Sequence, residues 1–229
     1  MPRQTVTKVH VIFKTHLDIG FTDDAGVVVE RYLRQYIPAA VRLAREMREA
    51  GGDRFIWTTG SWLIHTYWQQ AAARERTALE RAILAGDIAW HGLPFTTHTE
   101  LMDPALFAHG LSLSLALDEQ FHRQTIAAKL TDVPGHTIGM VPWMAEAGLR
   151  FLHIGVNPVS RAPAVPPAFV WRHPSGAELV VMYEEGAYGD VSLVPGMTEA
   201  LAFAHTGDNC GPQSAAAIRA VFARLRDRF

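Results

Sequence analysis

Short strand-like runs alternate with longer helix-like segments over the first two thirds of this chain. The strand-like runs are rich in β-branched and aromatic residues and cover 9–13, 54–58, 87–91, 127–131 and 151–154. Apolar stripes between them predict helices at 26–50, from 62 onward, and at 74–85, 104–122 and 136–147. Strands that alternate with helices build βαβ units and a mainly parallel sheet. The sequence therefore predicts an α/β fold whose sheet is closed or nearly so.

The last third of the chain breaks this alternation. Two apolar runs, 169–172 and 178–183, flank a His-Pro-Ser-Gly turn and predict a β-hairpin. Three further segments are predicted beyond it: a helix at 197–204, a polar glycine loop at 206–212 and a helix at 213–228. Because the last helix should lead into another strand, we expect residues 1–229 to form one domain at the front of a longer protein.

The composition argues against several classes of partner. A formal net charge of −2 and the lack of a Lys/Arg cluster give no basis for nucleic-acid binding. No apolar run could span a bilayer, and Met1-Pro2-Arg3-Gln4 leads into the first strand without a signal-peptide pattern. The single cysteine, Cys210, excludes an intrachain disulfide. We expect a cytoplasmic protein without nucleic-acid or membrane partners, and leave a homo-oligomer open.

A His-x-Asp pair follows the first predicted strand. Side chains two residues apart on an extended segment point to the same side, so His16 and Asp18 can converge on one point. An imidazole and a carboxylate at the carboxyl end of a strand suit a divalent metal such as zinc. In the alternative, Asp18 caps a helix and His16 is a surface imidazole with satisfied hydrogen bonds. The motif is short and common, so by itself it leaves both interpretations open.

The second candidate is the turn Asp132-Val133-Pro134-Gly135-His136, after the fourth predicted strand. Pro134 and Gly135 favour a tight turn that holds Asp132 at the strand end, and His136 would open the next helix. Catalytic residues of α/β folds gather where strands end and loops begin. The alternative is that Asp132 only caps the following helix.

Two further loops and one aromatic residue carry polar or stacking groups. The loop after the third predicted strand offers the His98 imidazole and the Glu100 carboxylate to a polar ligand, unless it is only a polar loop before a helix. The glycine-containing loop around Asp208 resembles a phosphate-binding loop only loosely, and its alternative is a plain turn. Trp62, near a strand end, either packs inside the protein or stacks on a sugar ring.

Taken together and in this order, the loops resemble the N-terminal catalytic domain of glycoside hydrolase family 38, the α-mannosidases. The segments that carry the resemblance are His16-Leu17-Asp18 with Gly20-Phe21, Phe55-Ile56-Trp57, the helix around Trp62 to Trp68, Ala85 to Ile88 with Thr99-Glu100, Asp132 to His136, and Gly207 to Pro212. The resemblance spans nearly the whole chain. The family usually has a histidine at Lys14, a tryptophan at Phe21 and a glutamate near Thr59, so the sequence resembles a divergent branch.

The resemblance implies a fold, a cofactor and a mechanism. The fold would be an incomplete seven-stranded β/α barrel with the hairpin inserted in its second half. Zn²⁺ would be bound by His16, Asp18 and Asp132, and Asp132 would be the nucleophile in a retaining hydrolysis of an α-linked sugar. The acid/base would be Asp208 or, as second candidate, Glu100.

The same resemblance implies a carbohydrate substrate. The side chains expected to contact it are Phe21, Trp62, His98 and His136. The family's remaining metal-binding histidine lies far downstream, beyond Phe229, so we expect the 229-residue chain by itself to be poorly active.

Two alternatives stay open. In a metal-dependent carbohydrate deacetylase on a related incomplete barrel, Asp132 would be the general base for a metal-bound water. In a non-catalytic carbohydrate-binding relative, the fold would be kept and turnover lost. Thr59 and Phe21, which depart from the family's pattern, favour this second alternative.

Overall fold

The computed structural model describes residues 5–133, 135–185 and 188–229, so Pro134 of the predicted turn and residues 1–4 lie outside the described residues. The described strands are β1 (Lys8–His16), β2 (Trp57–Gly60), β3 (Ile88–His91), β4 (Ala127–Asp132), β5 (Phe151–Val156), β6 (Ala168–Arg172), β7 (Glu178–Glu184), β8 (Val191–Leu193) and β9 (Glu199–Asp208). The described α-helices are α1 (Ala25–Arg31), α2 (Ile37–Ala50), α3 (Ser61–Gln70), α4 (Ala73–Leu84), α5 (Pro104–Phe121), α6 (Met140–Glu146) and α7 (Ala215–Arg228). A π-helical turn covers Tyr32–Tyr36 and a 3-10 turn covers Thr99–Leu101.

The strands form two open sheets, ordered β3-β2-β1-β9-β8 and β4-β5-β7-β6. β1 runs parallel to β2 and β9, and β5 runs parallel to β4 and β7. Only the pairs β6–β7 and β8–β9 among these described pairings are antiparallel. The predicted α/β class, the mainly parallel strands and the hairpin of the second half are confirmed, and within the described ranges neither sheet closes into a barrel.

The chain divides into two compact units. The first comprises the described residues up to Thr59 together with Tyr67–Ala89 and Asp190–Phe229. The second comprises Gly60–Thr66 and Trp90–Gly189. His16, Asp18 and Asp208 belong to the first unit, and Asp132 belongs to the second.

β1 is the middle strand of the first unit's sheet, and its two faces differ. The Phe13 ring packs against the rings of Phe55 and Phe222, with centroid distances of 5.2 and 5.6 Å. Successive side chains of a strand alternate between its faces, so Lys14 and His16 point away from this aromatic cluster. Both are nevertheless buried. β1 therefore carries its polar residues on one buried face.

The predicted long helix at 26–50 is interrupted shortly before Pro38. Ile37 N donates to the carbonyl of Tyr32, five residues back, and Tyr32–Tyr36 form a π-helical turn. Pro38 has no N–H for the carbonyl of Arg34, which favours such an interruption. The turn brings the rings of Tyr32 and Tyr36 to a centroid distance of 5.1 Å in an edge-to-face contact.

The second unit has its own core beneath the sheet β4-β5-β7-β6. Leu130 of β4, Ile154 of β5 and Val181 of β7 are buried there together with Met140 and Met144 of α6. In the register of β4 and β5, Asp132 lies opposite Val156 at the carboxyl ends of both strands.

Within the described ranges, no helix combines the length and apolar character needed to cross a bilayer.

Two segment predictions are wrong. Residues 197–204 were expected to be helical, but most of them lie in β9, which pairs with β1 along its whole length. The sixth helix begins at Met140 and not at His136. Gly135 has a left-handed φ of 79°, and Thr137 N donates to Thr99 Oγ1, so the residues after Asp132 form a loop.

Candidate functional site

His16, Asp18 and Asp208 bring three ligand atoms together at the carboxyl ends of β1 and β9. One ring nitrogen of His16 and one carboxylate oxygen each from Asp18 and Asp208 lie within 4.8 Å of one another. His16 Nε2 is 3.2 Å from Asp18 Oδ1. β9 has one extra residue at its end, so that Asp208, and not Gly207, is the register partner of His16. The side chain of His16 is only 3% exposed, while both carboxylates are partly accessible.

The donor set of this cluster fits a divalent cation. One imidazole nitrogen and two carboxylate oxygens are ligands that zinc accepts, and three protein ligands leave a coordination position for substrate or water. Two carboxylates this close repel each other unless a cation lies between them. The residues present therefore suit zinc or a similar metal ion.

Asn209 joins the loop after β1 to the end of β9. Its side-chain oxygen accepts from Asp18 N at 3.1 Å, and its Nδ2 donates to Asp18 O at 2.8 Å and to Thr22 Oγ1 at 2.9 Å. Its own backbone N donates to His16 O at 2.9 Å. Asn209 is 4% exposed and has a left-handed φ of 52°, a conformation that asparagine tolerates better than most residues. It thus fixes the backbone of both motif residues.

Two tyrosines of the π-helical turn support the same strand ends. Tyr32 Oη donates to His16 O at 3.2 Å, and Tyr36 Oη donates to Asn209 O at 2.8 Å. Burial, the main cause, raises the pKa of Tyr32 far above its ordinary value, so its hydroxyl keeps its proton. The π-helical turn thereby holds the backbone of His16 and Asn209 in position.

Lys14 lies two residues before His16 on the same face of β1 and is 8% exposed. Burial lowers the pKa of its amine to about 7. This is the position at which the family usually has a histidine. A buried amine so close in sequence to the cluster distinguishes this chain from that pattern.

Asp132 ends β4 in a strained conformation. Its φ is 79°, in the left-handed region that is costly for a residue with a Cβ atom. Its Oδ1 accepts hydrogen bonds from Asn157 Nδ2 and Tyr188 Oη, both at 2.6 Å. Backbone strain of this kind concentrates at functional sites, and the two short hydrogen bonds fix the direction of the carboxylate.

The other predicted catalytic carboxylate of the second unit, Glu100, is exposed on the 3-10 turn. A Cβ atom built at Gly135 would lie 3.5 Å from Glu100 Oε2, so the carboxylate of Glu100 lies against the loop that follows Asp132. His98, two residues before Glu100, is also exposed. The loop after β3 and the loop after β4 therefore meet.

His136 is also in this region. Its Nδ1 lies 3.3 Å from Thr99 Oγ1, while its Nε2 is buried and has no hydrogen-bond partner in the described part of the chain. Burial, with a smaller contribution from the charge of His98, lowers the pKa of His136 to about 4. The ring is therefore neutral at physiological pH.

Of the remaining predicted substrate contacts, two lie in the second unit, and the third, Phe21, follows Asp18 by three residues. Trp62 and His98 line one cavity of about 600 Å³ in the second unit, where the rings of Trp62 and Phe95 meet edge to face at 5.7 Å. Phe21 is 74% exposed in the loop after β1. Their role in binding a sugar stays a prediction.

The structure brings together His16 and Asp18 as predicted, and it adds Asp208, which was predicted as an acid/base residue. Binding of a metal ion by His16, Asp18 and Asp132 stays a prediction. The supporting roles of Asn209, Tyr36, Asn157 and Tyr188 were not predicted from the sequence. Asn209 had one usable signal, its position in a polar glycine-containing loop directly after Asp208, whereas nothing in the sequence marks the tyrosines.

No protein-family model matches the chain, and no curated protein matches it. Solved structures do. An α-mannosidase from Enterococcus faecalis V583 matches with a TM-score of 0.72 at 12% identity, over 95% of this chain and 27% of that one. A glycosyl hydrolase family 38 protein from Enterococcus faecalis matches with a TM-score of 0.64 at 10% identity, over 96% and 25% of the two chains. A 4-α-glucanotransferase from Thermococcus litoralis matches with a TM-score of 0.59 at 12% identity, over 96% and 36%.

The chain therefore has the fold of a segment found in carbohydrate-active enzymes. The predicted resemblance to glycoside hydrolase family 38 is confirmed at the level of the fold. The chain spans about a quarter of the length of the two family 38 structures and about a third of the glucanotransferase.

Proposed function

We propose that this chain is the metal-binding and nucleophile-bearing part of a glycoside hydrolase that acts on α-linked sugars. The observation that carries the proposal is the cluster of His16, Asp18 and Asp208, whose ligand atoms lie within 4.8 Å of one another at the ends of two parallel strands. The likeness of the fold to an α-mannosidase supports the substrate class.

His16, Asp18 and Asp208 would hold the metal ion in this proposal. A bound divalent cation supplies positive charge that binds sugar hydroxyls and favours the ionised form of nearby carboxylates. Asn209 keeps Asp18 and His16 in position through their backbone atoms. The prediction that Asp132 is a further ligand is retained here as part of the proposal.

Asp132 would attack the anomeric carbon and form a covalent bond to it while the bond to the leaving oxygen breaks. Asn157 and Tyr188 hold the attacking carboxylate through Oδ1. Because Asp208 is assigned to the metal ion, we assign the role of general acid/base to Glu100. It would give its proton to the leaving oxygen and then take one from the water that releases the sugar.

A fluorinated mannosyl fluoride tests the assignment of the nucleophile. Such a reagent traps a covalent glycosyl-enzyme, and mass spectrometry locates the adduct, so a single slow turnover suffices. We expect an adduct on Asp132 that requires added zinc, no adduct in Asp132→Asn, and an unchanged adduct in the control Asp190→Asn, which alters an exposed aspartate.

Assays of acetate release and of sugar binding, made beside the trapping experiment, separate the alternatives. Acetate released from an acetylated sugar without an adduct would favour the deacetylase. Tight sugar binding without hydrolysis, unchanged in Asp132→Asn, would favour the non-catalytic relative. An adduct on a residue other than Asp132 would overturn the proposed mechanism.

A further inference from the structure

β4 and β5 each carry one buried basic side chain on the face opposite the apolar core. Leu130 and Ile154 point into that core beneath the sheet. Because side chains alternate along a strand, their neighbours Lys129 and His153 point to the other face, where they are register partners. Lys129 is 5% exposed and His153 is 1% exposed. Lysine is rarely buried to this extent unless its amino group has partners.

The amino group of Lys129 joins these two strands to the loop after β7. Its Nζ lies 3.0 Å from Nδ1 of His153 and donates to the backbone carbonyl of Tyr188 at 2.9 Å. An amino group offers N–H donors in more than one direction, and a histidine ring nitrogen can accept one of them. Lys129 therefore fixes the backbone of Tyr188, which lies between β7 and β8.

The side chain of Tyr188 leads from this anchored backbone to Asp132. Tyr188 Oη donates to Asp132 Oδ1 at 2.6 Å, so Tyr188 is held by Lys129 at its carbonyl and by Asp132 at its hydroxyl. A chain of hydrogen-bonding groups thus runs from His153 through Lys129 and Tyr188 to the carboxylate, entirely within the second unit. A shift of the Tyr188 backbone would change the geometry of its bond to Asp132.

Stability alone gives little reason for a lysine and a histidine at these two positions. Burial takes both groups away from water, and the internal hydrogen bonds only partly replace those that are lost. Replacing both partners of a buried polar contact by apolar side chains of similar shape is often nearly neutral for stability. The contact of Lys129 with Tyr188 does supply a reason, because it leads to the carboxylate of Asp132.

We infer that Lys129 and His153 are positioning residues for the carboxylate of Asp132 and that they act through Tyr188. The inference rests on the proposed function for the role of Asp132 as nucleophile, whereas the chain of contacts does not depend on that role. His153 holds the amino group of Lys129, Lys129 holds the carbonyl of Tyr188, and the hydroxyl of Tyr188 holds one oxygen of Asp132. Small displacements of an attacking group slow a reaction strongly.

The first readout is the hydrogen bond between Tyr188 and Asp132, measured by NMR without sugar or metal. Tyrosine labelled with ¹³C at the hydroxyl-bearing ring carbon gives one signal per residue, and the signal of Tyr188 is the one missing in Tyr188→Phe. We expect this signal to move in Asp132→Ala, which removes the acceptor, and to move in the same direction in Lys129→Met. Lys8→Met, which removes an exposed lysine, should leave it unchanged.

The second readout is the rate at which the fluorinated mannosyl fluoride forms the adduct. At saturating reagent, Tyr188→Phe should react about 10–100-fold more slowly, because a hydrogen bond to a charged group is lost. Lys129→Met should also be slowed, and in both variants the reagent concentration at half-saturation should stay the same. Adding Lys129→Met to Tyr188→Phe should cause little further loss, because the two residues act in one chain, whereas independent effects would multiply.

A second variant guards against misfolding, since Lys129→Met leaves His153 facing an apolar side chain. Lys129→Met/His153→Phe replaces both partners by apolar side chains of similar size, so its midpoint of urea unfolding should stay close to that of the unaltered chain. We expect it to move the Tyr188 signal and to slow adduct formation as Lys129→Met does. An unmoved signal and an unchanged rate in this variant would mean that the pair only fills space, and would overturn the inference.

The outcomes separate the two proposals. If no adduct forms on Asp132, the proposed function fails, and a Tyr188 signal that moves with the loss of Lys129 still supports the inference. If the adduct forms equally fast in the unaltered chain and in Lys129→Met/His153→Phe, the inference is overturned and the proposed function stands. Losses that multiply when Lys129→Met is added to Tyr188→Phe also overturn the inference, because Lys129 would then act independently of Tyr188.

Discussion

Asn209 makes five hydrogen bonds that join three parts of the first unit: the end of β1, the loop after it and the π-helical turn. Such partners of metal-binding residues orient the ligands and commonly contribute a factor of about 10–100 to metal affinity. The sequence predicted the His16/Asp18 pair because a two-residue spacing on a strand has a simple geometric meaning. It could not predict Asn209, whose contacts depend on residues nearly two hundred positions away.

Replacing Asn209 separates its side-chain bonds from its backbone conformation. Both Asn209→Gly and Asn209→Ala should bind zinc about 10–100-fold more weakly, because both lose the bonds to Asp18. The free energy of unfolding of Asn209→Ala should also be about 1 kcal/mol lower than that of Asn209→Gly, because the Cβ atom of alanine disfavours the φ of 52°. Titration calorimetry and urea unfolding measure the two effects. Unchanged zinc affinity in both variants would refute the supporting role.

Asp132 allows a test of stored backbone strain. Asp132→Gly and Asp132→Ala lose the same carboxylate and the same two hydrogen bonds, but only glycine adopts a φ of 79° without strain. We expect the glycine variant to be more stable by about 1 kcal/mol in urea unfolding. At Asp190, whose φ is not left-handed, the order should reverse. The same order at both positions would argue against strain at Asp132.

His136 gives a dependence of stability on pH with a defined sign. Its pKa in the folded chain is about 4, below the ordinary value of 6.5, so between these values the unfolded chain takes up a proton that the folded chain does not. The contribution of His136 to the free energy of unfolding is therefore fully present above pH 6.5 and is lost as the pH falls towards 4. The loss is on the order of 2–3 kcal/mol.

The measurement compares the free energy of unfolding of the unaltered chain and His136→Gln at pH 7 and pH 4. The variant should lose less stability than the unaltered chain over this range, by the stated amount. His109→Gln is the control, because His109 is exposed on α5 and should leave the pH dependence unchanged. Parallel curves for the unaltered chain and His136→Gln would contradict the burial of a neutral ring.

At the scale of elements, the pairing of β9 with β1 places Asp208 beside His16 and Asp18. Its first half, Glu199 to Ala204, consists of alanine, leucine and phenylalanine around a single acidic residue, a composition that is compatible with a helix. Pairing with β1 on one side and β8 on the other overrides that local preference. A helix at this position, as the sequence predicts, would not place Asp208 beside His16. The local signals of β1, β4 and the β6–β7 hairpin, by contrast, agree with their pairing and were sufficient.

The connection from β9 to α7 depends on Gly211. A Cβ atom at this position would lie 2.5 Å from Cδ1 of Tyr36, and φ is 71°. Gly211→Ala should therefore lower the free energy of unfolding by about 2–4 kcal/mol, through both backbone strain and overpacking. Gly51 has a similar φ of 75° with no atom within 4 Å, so Gly51→Ala should cost only about 1 kcal/mol. Equal costs in thermal unfolding would exclude the contact with Tyr36.

At the scale of the whole molecule, the chain combines two compact units whose strand ends carry different parts of the proposed chemistry. The first contains His16, Asp18 and Asp208, and the second contains Asp132 and Glu100. The α/β class and the resemblance to family 38 could be read from the order of weak motifs, since that order follows the order of the strands. The ligand set could not, because it depends on register, which a one-residue bulge in β9 changes.

Zinc titration calorimetry of the chain and of Asp208→Asn tests the central claim most directly. The account predicts that the unaltered chain binds one zinc ion, that Asp208→Asn binds it at least about tenfold more weakly, and that the exposed control Asp190→Asn binds it normally. Equal zinc affinity in the unaltered chain and in Asp208→Asn, or no zinc binding by either, would contradict a metal centre built from His16, Asp18 and Asp208.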